Sequence, residues 1–281
     1  MLYLGVAVAV VIAVLLVVVI VLPNLTGSGS AAAVLTYSGA LPVANGAAAG
    51  FAGGGWTPIF AAGLVTATSE SFPANATALG NLTSGCTYTP QTSIASLTLP
   101  GYTGNRSLGA SPAWEFGYRN AANTLAIVSV INGHGIVLAT LSGFECSIYA
   151  QFFSAIPGNV IDSSRAAEAV QADAKAFLLA HPNASAELGL IGGLSFLGKG
   201  IGPEWSITYS TCALTESPTG TGAEFNATVN ALTGNVLGTN MSSDVSCGGG
   251  PTTTVLSPAA SVSTLAALSS SPRPEGPNDS E

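Results

Sequence analysis

The chain is 281 residues long, carries fourteen Asp or Glu against six Lys or Arg, and is only 7% charged, with a formal net charge of −8. So few cations exclude a nucleic-acid surface, which needs a basic stripe to displace counterions. Ordinary globular proteins are roughly 25% charged, so solubility must rest on Ser, Thr, Asn, backbone amides and sugars. A surface so poor in ionisable groups changes little with pH, which suits an acidic habitat.

From Leu2 to Leu22 the chain is apolar and without charge. At 1.5 Å per residue such a helix spans roughly 31 Å, the hydrocarbon thickness of a bilayer. The span is longer than the apolar core of a signal peptide and has no basic start, so an uncleaved anchor is favoured. Small residues from Ser28 to Ala33 leave a cleavage site open. The first Lys or Arg after this span is Arg106, so the positive-inside rule assigns no orientation. Sequons and cysteines do. N-x-S/T sequons begin at Asn24, Asn75, Asn81, Asn105, Asn183, Asn226, Asn240 and Asn278, more than Ser/Thr richness alone supplies. Cys86, Cys146, Cys212 and Cys247 form an even set without metal-ligand spacing, which points to two disulfides in an oxidising compartment. The expectation is a single-pass cell-membrane protein, held through residues 2–22, with its bulk extracytoplasmic. This sequon load on so few charges fits an archaeal envelope better than a bacterial one.

Residues 23–55 are rich in Ala, Gly and Ser and read as a linker. Residues 248–281 are rich in Ser, Thr, Pro and Ala and read as a disordered tail. Between them an internal repeat predicts two units, 56–155 and 156–247. Trp114-x-Phe116-x-Tyr118 recurs as Trp205-x-Ile207-x-Tyr209, and Val130, Gly135, Val137, Leu138 and Thr140 align with Val229, Gly234, Val236, Leu237 and Thr239. Each copy reads as an antiparallel meander whose first strand sets three large residues on one face. Ser164 to His181 is the strongest soluble helix, with an apolar stripe through Val170, Ala174, Phe177 and Leu178 and a stop at Pro182. Pro58 to Thr68 is the weaker helix candidate of the first copy. The fold class expected is therefore α+β: a transmembrane helix, then two small tandem units, each a helix packed on a meander.

Residues 163–240, with the ending Val229-Asn-Ala-Leu-Thr-Gly-Asn-Val236, resemble the PepSY family, whose ending is a strand running into V-D-A-x-T-G-x-V. Asn230 stands where the family has an acid. A fainter copy covers about 110–146. The resemblance implies small extracytoplasmic α+β modules with an inhibitory or binding role, some in protease propeptides. One bridge per unit, Cys86 with Cys146 and Cys212 with Cys247, is the preferred pairing, though every pairing stays open.

Catalytic signatures are lacking. There is no G-x-S-x-G elbow, H-E-x-x-H or P-loop, and Gly198-Lys-Gly-Ile-Gly202 lacks nucleotide-loop spacing. His134 falls in an expected hairpin turn and His181 at a helix C-terminus, where it favours the dipole. Asp162, Glu168, Asp173 and Glu187 read as a solvated helix face, and Trp114, Tyr118, Trp205 and Tyr209 as core. No catalytic, metal or cofactor residue is assigned. The expected function is a non-enzymatic binding or regulatory module toward an extracellular protein partner, a protease or an envelope component. The alternative is a structural envelope glycoprotein without a specific ligand.

Overall fold

The computed structural model describes residues 33–52, 54–73, 87–92, 96–102, 104–105, 108–196, 199–212 and 220–247. The anchor 2–22, the tail 248–281, Cys86 and the sequons at Asn24, Asn75, Asn81 and Asn278 lie outside them. No helix among the described residues is long and apolar enough to cross a membrane.

Antiparallel strands dominate. A helix α1 (Tyr37–Ala49) leads into β1 (Thr57–Val65), β2 (Glu70–Pro73), β3 (Thr87–Pro90), β4 (Ser96–Leu99), β5 (Ala113–Arg119), β6 (Leu125–Ile131) and β7 (His134–Ser142). Helices α2 (Phe144–Phe152) and α3 (Ser163–Ala180) follow. The remaining strands are β8 (Ser185–Ile191), β9 (Leu194–Phe196), β10 (Lys199–Ile201), β11 (Glu204–Ser210), β12 (Thr221–Asn230) and β13 (Val236–Ser246). Nine of these strands form one sheet in the order β13-β12-β11-β8-β1-β5-β6-β7-β3.

This corrects the expected architecture of two small tandem units, each a helix on its own meander. The meanders β5-β6-β7 and β11-β12-β13 do form, but β1 and β8 pair edge to edge from Phe60↔Ile191 to Val65↔Ala186 and fuse them. The core on the helix side is shared as well. Trp114 and Trp205 meet edge to face at 6.4 Å, and Tyr37 of α1 packs on Trp114, Phe116 and Trp205. An isolated four-stranded meander would leave its edge amides unpaired and half its aromatic face wet. Pairing the two edges removes both costs.

Two local expectations fail for one reason, the small residues. Pro58 to Thr68 is not helical: Thr57–Val65 is the central strand β1. A Cβ on Gly63 would lie 2.9 Å from the Trp114 indole, so glycine there is what lets the ring lie against the sheet. The stretch read as linker contains α1, whose Tyr37, Ala40, Ala44 and Ala48 fall on one face and are buried. Alanine at helical spacing gives little amphipathic signal, yet lets a helix sit close on a sheet.

The two tryptophans are held alike. Trp114 Nε1 donates to the Leu35 carbonyl at 2.7 Å and Trp205 Nε1 to the Ile161 carbonyl at 3.0 Å. Each accepting residue lies just ahead of a helix, α1 and α3 respectively. The helix N-termini meet there. The Tyr37 amide donates to Ser163 Oγ at 2.8 Å, and the Ser38 amide to Asp162 Oδ1 at 2.7 Å. Residues at the head of α3 thus satisfy orphan amides of α1, and the Asp162 charge faces the positive ends of both helices. Ser163 Oγ in turn donates a hydrogen bond to the Gly109 carbonyl at 2.6 Å. Gly109 has φ +65°, and a Cβ there would lie 2.2 Å from the Ser163 carbonyl oxygen. Gly109→Ala should therefore cost about 2–4 kcal/mol, from strain plus the loss of this contact. Urea unfolding of the variant beside the wild type measures it.

Candidate functional site

Strand alternation divides the sheet into two unlike faces. Trp114, Phe116, Tyr118, Leu188, Trp205, Ile207, Tyr209 and Phe225 are buried on the side of α1 and α3. The four aromatics at the two Trp-x-x-x-Tyr positions are therefore core, as expected, and not a stacking platform. The opposite face is apolar only at one end, where Phe60, Leu125, Ile127 and Leu141 pack with Cys146 and Ala150 of α2. Across β8, β11, β12 and β13 that face turns polar. One row runs Asn240–Asn226–Thr208–Glu187, and the row beside it runs Ser242–Glu224–Ser210–Ser185.

Three carboxylates cross this face on a diagonal. Glu115 on β5 is opposite Ala62, Ala62 is opposite Gly189, and Glu187 lies two residues along β8 from there. Glu224 is displaced from Glu187 by the same step, two strands over and two residues along. Each step is roughly 12 Å between Cα atoms, too far for contact but close enough for charge to be felt in a low-dielectric setting. Among the described residues no group of three such side chains could hold a metal ion.

Their environments differ. Glu115 is 5% exposed, and its Oε1 has no hydrogen-bond partner among the described residues. Burial, then the Glu187 charge, holds its carboxyl well above the ordinary range. Glu187 keeps some accessible surface, yet burial and then the Glu224 charge push it up to about 8. Glu224 is buried and accepts a hydrogen bond from Asn226 Nδ2, while Asn226 Oδ1 accepts from Thr208 Oγ1 at 2.6 Å. No arginine neutralises the row from β5: Arg119, on the same side four residues along, donates to the Ala150 carbonyl at 2.7 Å.

The sequence signal for this row was partial. Glu115 stands between Trp114 and Phe116, so alternation alone puts it on the opposite face. Nothing in the chain marks that face as partly enclosed. Glu187 was grouped with Asp162, Glu168 and Asp173 on a helix face. In the structure it belongs to β8 and Asp162 caps two helices, whereas Glu168, paired with Arg165, and Asp173 are both exposed on α3 and fit that expectation. His134 opens β7 in the exposed turn, and His181 caps α3 with its ring 4.7 Å from Phe177. Neither lies on the polar strands.

The expected bridge Cys212–Cys247 is present and ties the end of β11 to the end of β13. Cys146 is also disulfide-bonded. Replacing Cys212 and Cys247 together by Ser should lower stability by about 2–4 kcal/mol, and thermal unfolding of the double variant checks this. The sequons are placed unequally. Asn183 in the turn after α3, Asn105 and Asn240 on β13 are exposed, whereas the Asn226 amide is engaged by Glu224 and Thr208.

The segment Val229 to Val236 has a clear local task. Asn230 Oδ1 accepts from the Leu232 and Thr233 amides at 2.9 and 3.0 Å, and Gly234, at φ +77°, donates to the Asn230 carbonyl. Asn230 thus forms an Asx turn that builds the β12–β13 connection. No family model matches the chain, and no curated protein or solved structure matches it either.

Proposed function

We propose that the chain is a membrane-tethered, extracytoplasmic binding module, PepSY-like in its second half, that presents the polar face of β8, β11, β12 and β13 to a protein partner. The partner class is an extracellular protease or an envelope component. The observation that carries the reading is that face itself. It is an array of hydrogen-bonding groups at strand spacing, exposed or half-buried at Ser206, Asn226, Thr228 and Asn240 and buried at Thr208 and Glu224, with its aromatics all turned to the other side. Such an array offers directional bonds but no nucleophile paired with a base, which favours recognition over turnover. The apolar span at 2–22, the sequons and the disulfide Cys212–Cys247 support placement outside the cytoplasm. A structural coat role is favoured instead by the exposed sequons at Asn183 and Asn240.

A photo-crosslinking residue at Thr228, on the polar face, should yield one adduct of defined mass in native membranes. The same residue at Gln171, on the outer side of α3, should yield none. Ser206→Lys beside the probe should abolish the adduct if the face recognises a partner. No adduct, or adducts of equal yield from both positions, would leave the coat reading.

A further inference from the structure

Three polar side chains on β11 and β12 form a connected set. Thr208 and Asn226 stand directly opposite each other, and Thr208 Oγ1 donates to Asn226 Oδ1 at 2.6 Å. Asn226 Nδ2 in turn donates to Glu224 Oε1. A carboxylate only accepts, so Glu224 holds the amide nitrogen on its own side and leaves the carbonyl to the hydroxyl. Thr208 and Glu224 are each 4% exposed, which keeps water from both ends of the set. With a C=O bond of about 1.23 Å, Asn226 Cγ lies within about 3.8 Å of Thr208 Oγ1. That is close to the separation of about 3–3.5 Å at which positioned groups react. A hydroxyl, an amide carbon and a carboxyl group are thus placed as nucleophile, electrophile and proton carrier.

We propose that Thr208 and Asn226 react with each other once the sheet has formed, leaving an ester cross-link between β11 and β12. Thr208 Oγ1 adds to Asn226 Cγ, and its proton moves to Oδ1 along the hydrogen bond already present. Glu224 relays that proton to Nδ2. The C–N bond breaks, ammonia leaves, the C=O re-forms, and Glu224 ends in its starting state. Nothing is oxidised or reduced and no second reactant is consumed. The reaction occurs once per chain, so it is self-modification and not turnover. Directly opposite residues have Cβ atoms about 4.5–5.5 Å apart. The ester closes that gap to about 3.8 Å, the span of a disulfide, so the strands draw together by about 1 Å. The bond would complete a pattern the chain has begun: Cys212–Cys247 already ties the end of β11 to the end of β13. All three outer strands on that side of the sheet would then be covalently joined. An Asn226 used in this way is no longer a sugar acceptor.

The test uses the full chain extracted into detergent, then reduced, alkylated and digested for mass spectrometry. The peptides carrying Thr208 and Asn226 should appear as one linked species, lighter than their sum by one ammonia, about 17 Da. Hydroxylamine, which cleaves esters, should separate them. Thr208→Val should give two unlinked peptides of full mass, whereas Thr208→Ser, which keeps the hydroxyl, should retain the link. Glu224→Gln keeps the shape and the accepting oxygen but not the proton relay, and should lose most of the link. It carries the comparison should Thr208→Val fail to fold. Unlinked wild-type peptides of full mass would overturn the proposal. So would a sugar on Asn226, or a wild-type yield of link in Glu224→Gln. A loss of ammonia that persists in Thr208→Val would overturn it too, since a cyclic imide at Asn226 needs no hydroxyl.

Discussion

Urea unfolding of the wild type should show stability rising as pH falls from 8 to about 4.5, by about 2–4 kcal/mol, and Glu187→Gln should remove a measurable part of that slope. The cause is the raised carboxyl of Glu187, pushed up to about 8 by burial and the Glu224 charge. Between the ordinary carboxylate range and its folded value, the folded protein keeps a proton that the unfolded chain has released. The stabilisation is therefore complete at low pH and is lost as pH rises through about 8. Glu115 acts in the same direction. Asp162 acts against them. Burial raises it, but hydrogen bonds from the Ser38 amide and from the Ser164, Thr36 and Ser38 side chains outweigh that and hold it below the usual range. Its contribution is lost only when pH falls below that range, which puts the stability maximum at mildly acidic pH. A flat profile, or a Glu187→Gln variant with the wild-type slope, would show that the row stays ionised in the folded protein.

The second large effect concerns cooperativity. Trp114→Ala and Trp205→Ala should each cost about 3–5 kcal/mol, and each should shift one unfolding transition of the whole sheet rather than melt half of it. Both indoles are buried, they touch each other, and each is tied to the segment before a helix. Two autonomous units would behave otherwise: Trp205→Ala would leave a first transition at the wild-type temperature. Differential scanning calorimetry decides between them. Agreement between calorimetric and van't Hoff enthalpies in both variants is the result expected.

How much of this was legible depended on side-chain size. Large residues at period two announced β5, β11 and their buried faces, and Pro182 and the apolar stripe announced α3. Where the chain uses Ala and Gly the signal vanished: α1 read as linker and β1 as a weak helix, although Gly63 and Ala44 are small because Trp114 and the sheet press against them. The pairing of β1 with β8 was invisible for a different reason. It joins Phe60 to Ile191, and local periodicity carries no record of which distant edge a strand will meet. The carboxylate row shares that difficulty, since Glu115, Glu187 and Glu224 come together only through strand order.

The central place of β1 also governs when the protein can be finished. The strand leaves the ribosome early, but one of its two neighbours, β8, is made about 130 residues later, which takes roughly 6–25 s at ordinary elongation rates. Through that interval the first half of the chain carries an open edge bearing Phe60 and Ala62, and any translocating or nascent copy is exposed to mispairing with its neighbours. Completion is a late, non-local event, so secretion yield should be limited by the protection of that edge during synthesis more than by the stability of the finished sheet.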